Sequence, residues 1–94
     1  PAFFYRMVQA FVDFAKGAGL DESLALEAVN ATMIGSGHMI ENFGQPDELI
    51  RQVASARGTT EAGLMAMDDS DYDAIINTVL NAAFDRAVEL SNKE

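Results

Sequence analysis

The residues of this chain that could do chemistry lie in one stretch, Val53 to Leu64, VASARGTTEAGL. It holds Ser55, a lone cation at Arg57, then Gly58 and two consecutive threonines, Thr59 and Thr60, before an apolar helical run. A loop that enters a helix can aim free backbone N–H groups at an anion. Here the N–H groups of Gly58, Thr59 and Thr60 would form the cradle, with threonine hydroxyls as further donors. Its size suits a carboxylate or a small phosphate. The same residues also read as a plain helix-initiating turn with a redundant cap, worth about 1 kcal/mol. Residue chemistry alone leaves both readings open.

Other candidates carry less. His38 is the single histidine. On a helix it has Glu41 and Asn42 three and four residues on, but no nucleophile and no metal-ligand set nearby. It reads as a helix-face or interface residue. Asp68, Asp69, Asp71 and Asp73 lack the alternation, turn glycine and terminal glutamate of a calcium loop. They read as capping and a solvated turn. The five methionines read as core filler. No metal site is expected.

The elements that position the loop read as helices. Phe3, Phe4, Met7, Val8, Phe11, Phe14 and Ala15 recur at three- and four-residue steps, which predicts a first helix over residues 1–18 with its aromatic stripe in the core. Gly19 is a natural left-handed cap. Asp21 caps a second helix running to about Asn42. Gly35 and Gly37 inside it each cost roughly 1 kcal/mol against alanine, and close approach of another helix backbone would compensate. Pro46 followed by Asp47 and Glu48 starts a short third helix whose buried edge is Leu49, Ile50 and Val53. Thr59 or Thr60 caps a fourth. Ser70 caps a fifth, which runs to about Leu90 with Ile75, Ile76, Val79, Leu80, Phe84 and Val88 on its apolar face. The tail from Ser91 should fray. No segment alternates with period two. The expected class is all-α, about five helices in one domain over residues 1–94.

Composition narrows the partners. A net charge of −9 with scattered basic residues opposes nucleic acid and anionic membranes. No apolar run approaches the ~18 residues of a membrane span. The absence of cysteine removes disulfides and thiolate chemistry, and fits a cytoplasmic location. Yet 49% of the residues are hydrophobic, and a chain this short buries only on the order of 60–65% of its surface. A second copy of itself is the simplest cover, and the length of the second helix suggests that it runs through a dimer core. The opening on Pro1-Ala2-Phe3-Phe4, without methionine, reads as a domain excised from a longer protein.

At the loop the chain resembles the C-terminal dimerisation domain of pyrroline-5-carboxylate reductase. That family shows Val-x-Ser-Pro-Gly-Gly-Thr-Thr-x-x-Gly-Leu, which Val53, Ser55, Gly58, Thr59, Thr60, Gly63 and Leu64 match. Pro1-Ala2-Phe3 resembles the segment that opens the domain, and Phe14-Ala15-Lys16-Gly17-Ala18-Gly19-Leu20 approximates the end of its first helix. The resemblance implies NAD(P)H-dependent reduction of 1-pyrroline-5-carboxylate to L-proline. It implies NADP or NAD on an N-terminal Rossmann domain that these 94 residues do not contain. It also implies an imine bound between that domain and this loop, and a homodimer core of two intertwined long helices. Ser55 with the backbone of Gly58 and Thr59 would hold the substrate carboxylate, and the Thr60 hydroxyl would contact the ring nitrogen. The family's Pro and first Gly are replaced by Ala56 and Arg57. Either Arg57 points outward or pairs with the carboxylate and the reaction survives, or the site has diverged. Two rival readings are a non-catalytic helical interaction module and the helical domain of another Rossmann-type dehydrogenase.

Overall fold

A computed structural model describes residues 1–54 and 58–92. The order is α1 (Ala2–Gly17), α2 (Glu22–Phe43), α3 (Pro46–Ala54), α4 (Gly58–Asp69) and α5 (Tyr72–Asn92). The described residues contain no strand. The class is all-α with five helices, as the periodicity predicts. The chain divides into two compact units, Pro1–Leu49 and Ile50–Glu94.

In the first unit α1 packs on α2 as a helical hairpin. The turn between them is closed by backbone chemistry. The Leu20 N–H donates to the Ala15 carbonyl at 2.9 Å and the Gly19 N–H to the Lys16 carbonyl at 3.0 Å. This paired pattern satisfies the last carbonyls of α1 and requires a left-handed residue. Gly19 supplies it, with φ +102°. Asp21 then starts α2 in extended conformation, and its carboxylate accepts the Leu24 N–H at 3.3 Å and the Ser23 hydroxyl at 2.9 Å. Lys16 and Glu22 bridge the turn at 2.7 Å. Gly44 ends α2 at φ +119°, and Pro46 opens α3 with Asp47 and Glu48 in its first turn.

Burial departs from the sequence reading. Among the described residues only Val12 and Ala25 are buried. Phe3, Phe4, Phe11 and Phe14, expected in the core, are all exposed, Phe14 at 79%. The three- and four-residue period correctly marks one apolar face, but a period does not say what covers that face. On α3, Ile50 and Val53 are exposed and Leu49 is half-buried, so the expected buried edge is open in this chain. Gly35 and Gly37 lie inside an unbroken α2, and a Cβ added at either would meet nothing within 4 Å. The backbone approach expected there is therefore not made within the chain.

In the second unit α4 packs on α5. Ser70 does not cap α5. Its hydroxyl donates back to the Ala66 carbonyl of α4, the local competition short hydroxyl side chains offer a helix. The residue preceding α5 is Asp71, whose carbonyl accepts the Ile75 N–H at 3.0 Å. Asp71 has φ +56°, a left-handed value aspartate tolerates better than most residues. α5 extends through Ser91 and Asn92, where fraying was expected; Lys93 and Glu94 lie outside the described residues.

The Asp21 cap gives this fold an acid-sensitive point. The Ser23 hydroxyl, then the Leu24 N–H, hold the Asp21 carboxyl below its ordinary value. A lowered folded-state pKa stabilises above the unfolded value of ~3.9 and is lost as pH falls through the folded value. Asp21→Ala should therefore melt lower than the parent chain at pH 7, with the gap closing below pH ~4. Thermal melts across this range check it, and a gap that persists unchanged at low pH sinks the assignment.

Candidate functional site

The described part of α4 opens at Gly58, two residues before the first helical residue that a Thr59 cap would give. Thr59 and Thr60 therefore lie in the first turn rather than at its cap. The first four N–H groups of a helix have no carbonyl partner within that helix. In α4 these belong to Gly58, Thr59, Thr60 and Glu61. They converge on the positive end of a 12-residue helix. Gly58 and Thr59 are exposed and Thr60 is half-buried. The structure thus brings together three of the expected site residues at one helix start. Ser55 and Arg57, with Ala56, lie outside the described residues.

Glycine at 58 removes side-chain bulk from the helix start, and a Cβ there would meet nothing within 4 Å. A backbone without that bulk admits close approach by an anion. Thr60 is two residues on, so its hydroxyl rises from the same turn as the N–H groups. The arrangement can grip a carboxylate through backbone donors and reach an adjoining atom through a hydroxyl.

Sequence reasoning missed Glu61. It lies in the first turn of α4, directly after Thr60. A carboxylate there is stabilised by the helix's positive end and shares that end with any bound anion. The signal was present in its position, since first-turn acids are a standard helix-start feature.

The remaining candidates stay apart from this turn in chemistry. His38 is exposed on α2, and its backbone carbonyl accepts the Asn42 side-chain amide at 2.8 Å. Asp68 and Asp69 end α4, and Asp73 lies in the first turn of α5. Among the described residues no group of three or more His, Cys, Asp or Glu is placed to hold a metal ion. No helix among them is long and apolar enough to cross a membrane. None follows a strand and glycine-rich turn of the kind that seats a dinucleotide.

Comparison with known proteins bears on the whole chain. The sequence model of the family described as pyrroline-5-carboxylate reductase dimerisation matches residues 1–90. A pyrroline-5-carboxylate reductase of Staphylococcus haemolyticus is 38% identical over 95 aligned positions, covering 100% of this chain and 35% of the relative. Those of Staphylococcus saprophyticus and Staphylococcus aureus MSSA476 are 35% and 36% identical over the same shares. The chain thus spans about a third of the length of the curated relatives it matches. No solved structure matches it. With the loop motif, the all-helical order and a match from its first residue to its ninetieth, the chain belongs to the pyrroline-5-carboxylate reductase dimerisation family.

Proposed function

We propose that this chain is the dimerisation and substrate-loop domain of a cytoplasmic oxidoreductase that reduces 1-pyrroline-5-carboxylate to L-proline. The observation that carries the proposal is the start of α4, where Gly58, Thr59 and Thr60 meet at a helix N-terminus inside a chain of this family. The 94 residues act as one domain that pairs with a second copy, with α2 and α5 at the core of the dimer.

The reaction adds a hydride to the imine carbon and a proton to the ring nitrogen. A reduced nicotinamide, NADPH or NADH, supplies the hydride and is held outside these residues. The chain's own residues hold and orient the imine. Backbone N–H groups of Gly58 and Thr59, with the Ser55 hydroxyl, bind its carboxylate. Charge-assisted bonds of this kind are shorter and stronger than neutral ones. The Thr60 hydroxyl faces the ring nitrogen and fixes the plane of the C=N bond. Holding that plane against the hydride donor converts an encounter into a positioned reaction. Arg57 brings a formal positive charge to the loop of a chain whose net charge is −9.

Thr60→Val in the full-length enzyme is the central test. Loss of a hydrogen bond to a polar or charged atom costs about 1.5–3 kcal/mol, or roughly 10- to 150-fold. That loss should appear mainly in kcat, with circular dichroism and dimer mass unchanged. A variant within twofold of the parent sinks the role assigned to Thr60.

Arg57→Gly separates pairing from divergence. Pairing predicts a KM for the imine raised about tenfold or more, with kcat little changed. A large gain in turnover would instead mean that Arg57 obstructs this substrate.

The 94-residue chain alone, given NADPH and 1-pyrroline-5-carboxylate, should show no cofactor oxidation at 340 nm (~). Measurable turnover by the fragment would contradict the division of labour proposed.

A further inference from the structure

The acids at the helix starts of this chain are not equally engaged. At α2, Asp21 takes the Ser23 hydroxyl and the Leu24 N–H, and Glu22 pairs with Lys16 at 2.7 Å. At α3, Asp47 accepts the Glu48 N–H at 2.9 Å. At α4, Glu61 is exposed, and its carboxylate makes no hydrogen bond or ion pair with any described residue. The hydroxyls divide in the same way. Those of Thr32, Ser36, Ser70 and Thr78 donate to carbonyls four residues back. Those of Thr59 and Thr60 donate to no described residue. Among the described residues, the first turn of α4 thus holds unengaged donors beside a negative charge that no cation neutralises.

Resting on the reading of this turn as the carboxylate site, we infer that Glu61 is a specificity-determining residue, a charge filter that admits ligands with a single carboxylate and works against those carrying a second anionic group. Donors alone do not make this distinction. Backbone N–H groups and hydroxyls grip a carboxylate whatever else the ligand carries, and the positive helix end favours a dianion over a monoanion. A fixed negative charge reverses that preference, because it repels every charge added to the ligand. One helical turn rises ~5.4 Å, so a carboxylate on residue 61 stands roughly 6–10 Å from an anion on the N–H groups of residues 58–60. Near a protein surface, repulsion over that range amounts to about three- to tenfold in binding. The first carboxylate of a ligand offsets this through hydrogen bonds aimed at it, whereas a second one, turned away from the donors, makes none that could. Dicarboxylates and phosphate-bearing acids are therefore disfavoured. A small monocarboxylate, the class to which 1-pyrroline-5-carboxylate belongs, is retained.

Two inhibitors of one shape test the filter on the full-length enzyme: 4-carboxyproline and its 4-carboxamide, which differ by one negative charge. Each competes against 1-pyrroline-5-carboxylate in the native protein, Glu61→Gln and Glu61→Asp, at ~20 mM salt, where screening is weak. Glu61→Gln should lower the inhibition constant of the dicarboxylate about threefold or more and hold that of the carboxamide within about twofold. Glu61→Asp, which keeps the charge, should keep the native ratio. At ~0.5 M salt the gain in Glu61→Gln should shrink towards none. Equal shifts in both inhibitors are what a merely structural role at the helix start would give, and they overturn the filter. A dicarboxylate that binds Glu61→Gln no more tightly than the native protein also overturns it, and leaves the carboxylate site standing. L-proline that fails to compete with the imine in the native protein overturns the site reading and the filter with it.

Discussion

Burial is the constraint on which the rest of this structure depends. The packing of α1 on α2 leaves Val12 and Ala25 as the only buried residues among those described. Ordering each residue of a chain costs backbone entropy, and buried apolar surface is the main term that offsets it. Helices shorter than ~12–15 residues are marginal in water without packing. α3 and α4, at 9 and 12 residues, fall in that range. The large apolar side chains that could supply the packing are present, on α1, α2 and α5, but they face outward. A chain so arranged draws its stability from what it associates with.

This explains how the sequence could be read well in its elements and poorly in its interior. Helix boundaries depend on local chemistry, and that chemistry is written in single residues. Gly19 takes the positive φ that closes α1, Asp21 caps α2 and Pro46 opens α3. Each was legible because one residue type satisfies one backbone requirement. The aromatic stripe of α1 was equally legible as a face. Its burial was not, because periodicity records which side of a helix avoids water and not which chain supplies the cover. Ser70 failed for a different reason. Its hydroxyl donates back to the Ala66 carbonyl, a partner that a short hydroxyl side chain finds on its own helix as readily as it finds a cap.

The candidate site shows the same division. Physical chemistry alone found a helix start with glycine and threonines but could not separate a cap from an anion cradle. The loop motif adds a resemblance that favours the cradle, and the match over residues 1–90 shows the family rather than the role of any one residue. The helix start itself then refined the geometry. With α4 beginning at Gly58, both threonines enter the first turn and Thr60 is the half-buried one.

Electrostatics gives the turn a further constraint. The chain carries a net charge of −9, and Glu61 places a carboxylate at the same positive helix end that would attract an anionic ligand. When no ligand is present, that carboxylate favours the helix. When one binds, two negative charges share a single helix terminus, and their repulsion must be offset by hydrogen bonds aimed at the ligand alone. Glycine at 58 allows the backbone to come close enough to make such bonds, and a threonine hydroxyl adds a donor that Glu61 does not need. On the proposed reading, discrimination at this turn would rest on directed donors more than on net charge. A positive field strong enough to gather any anion would not distinguish one carboxylate from another.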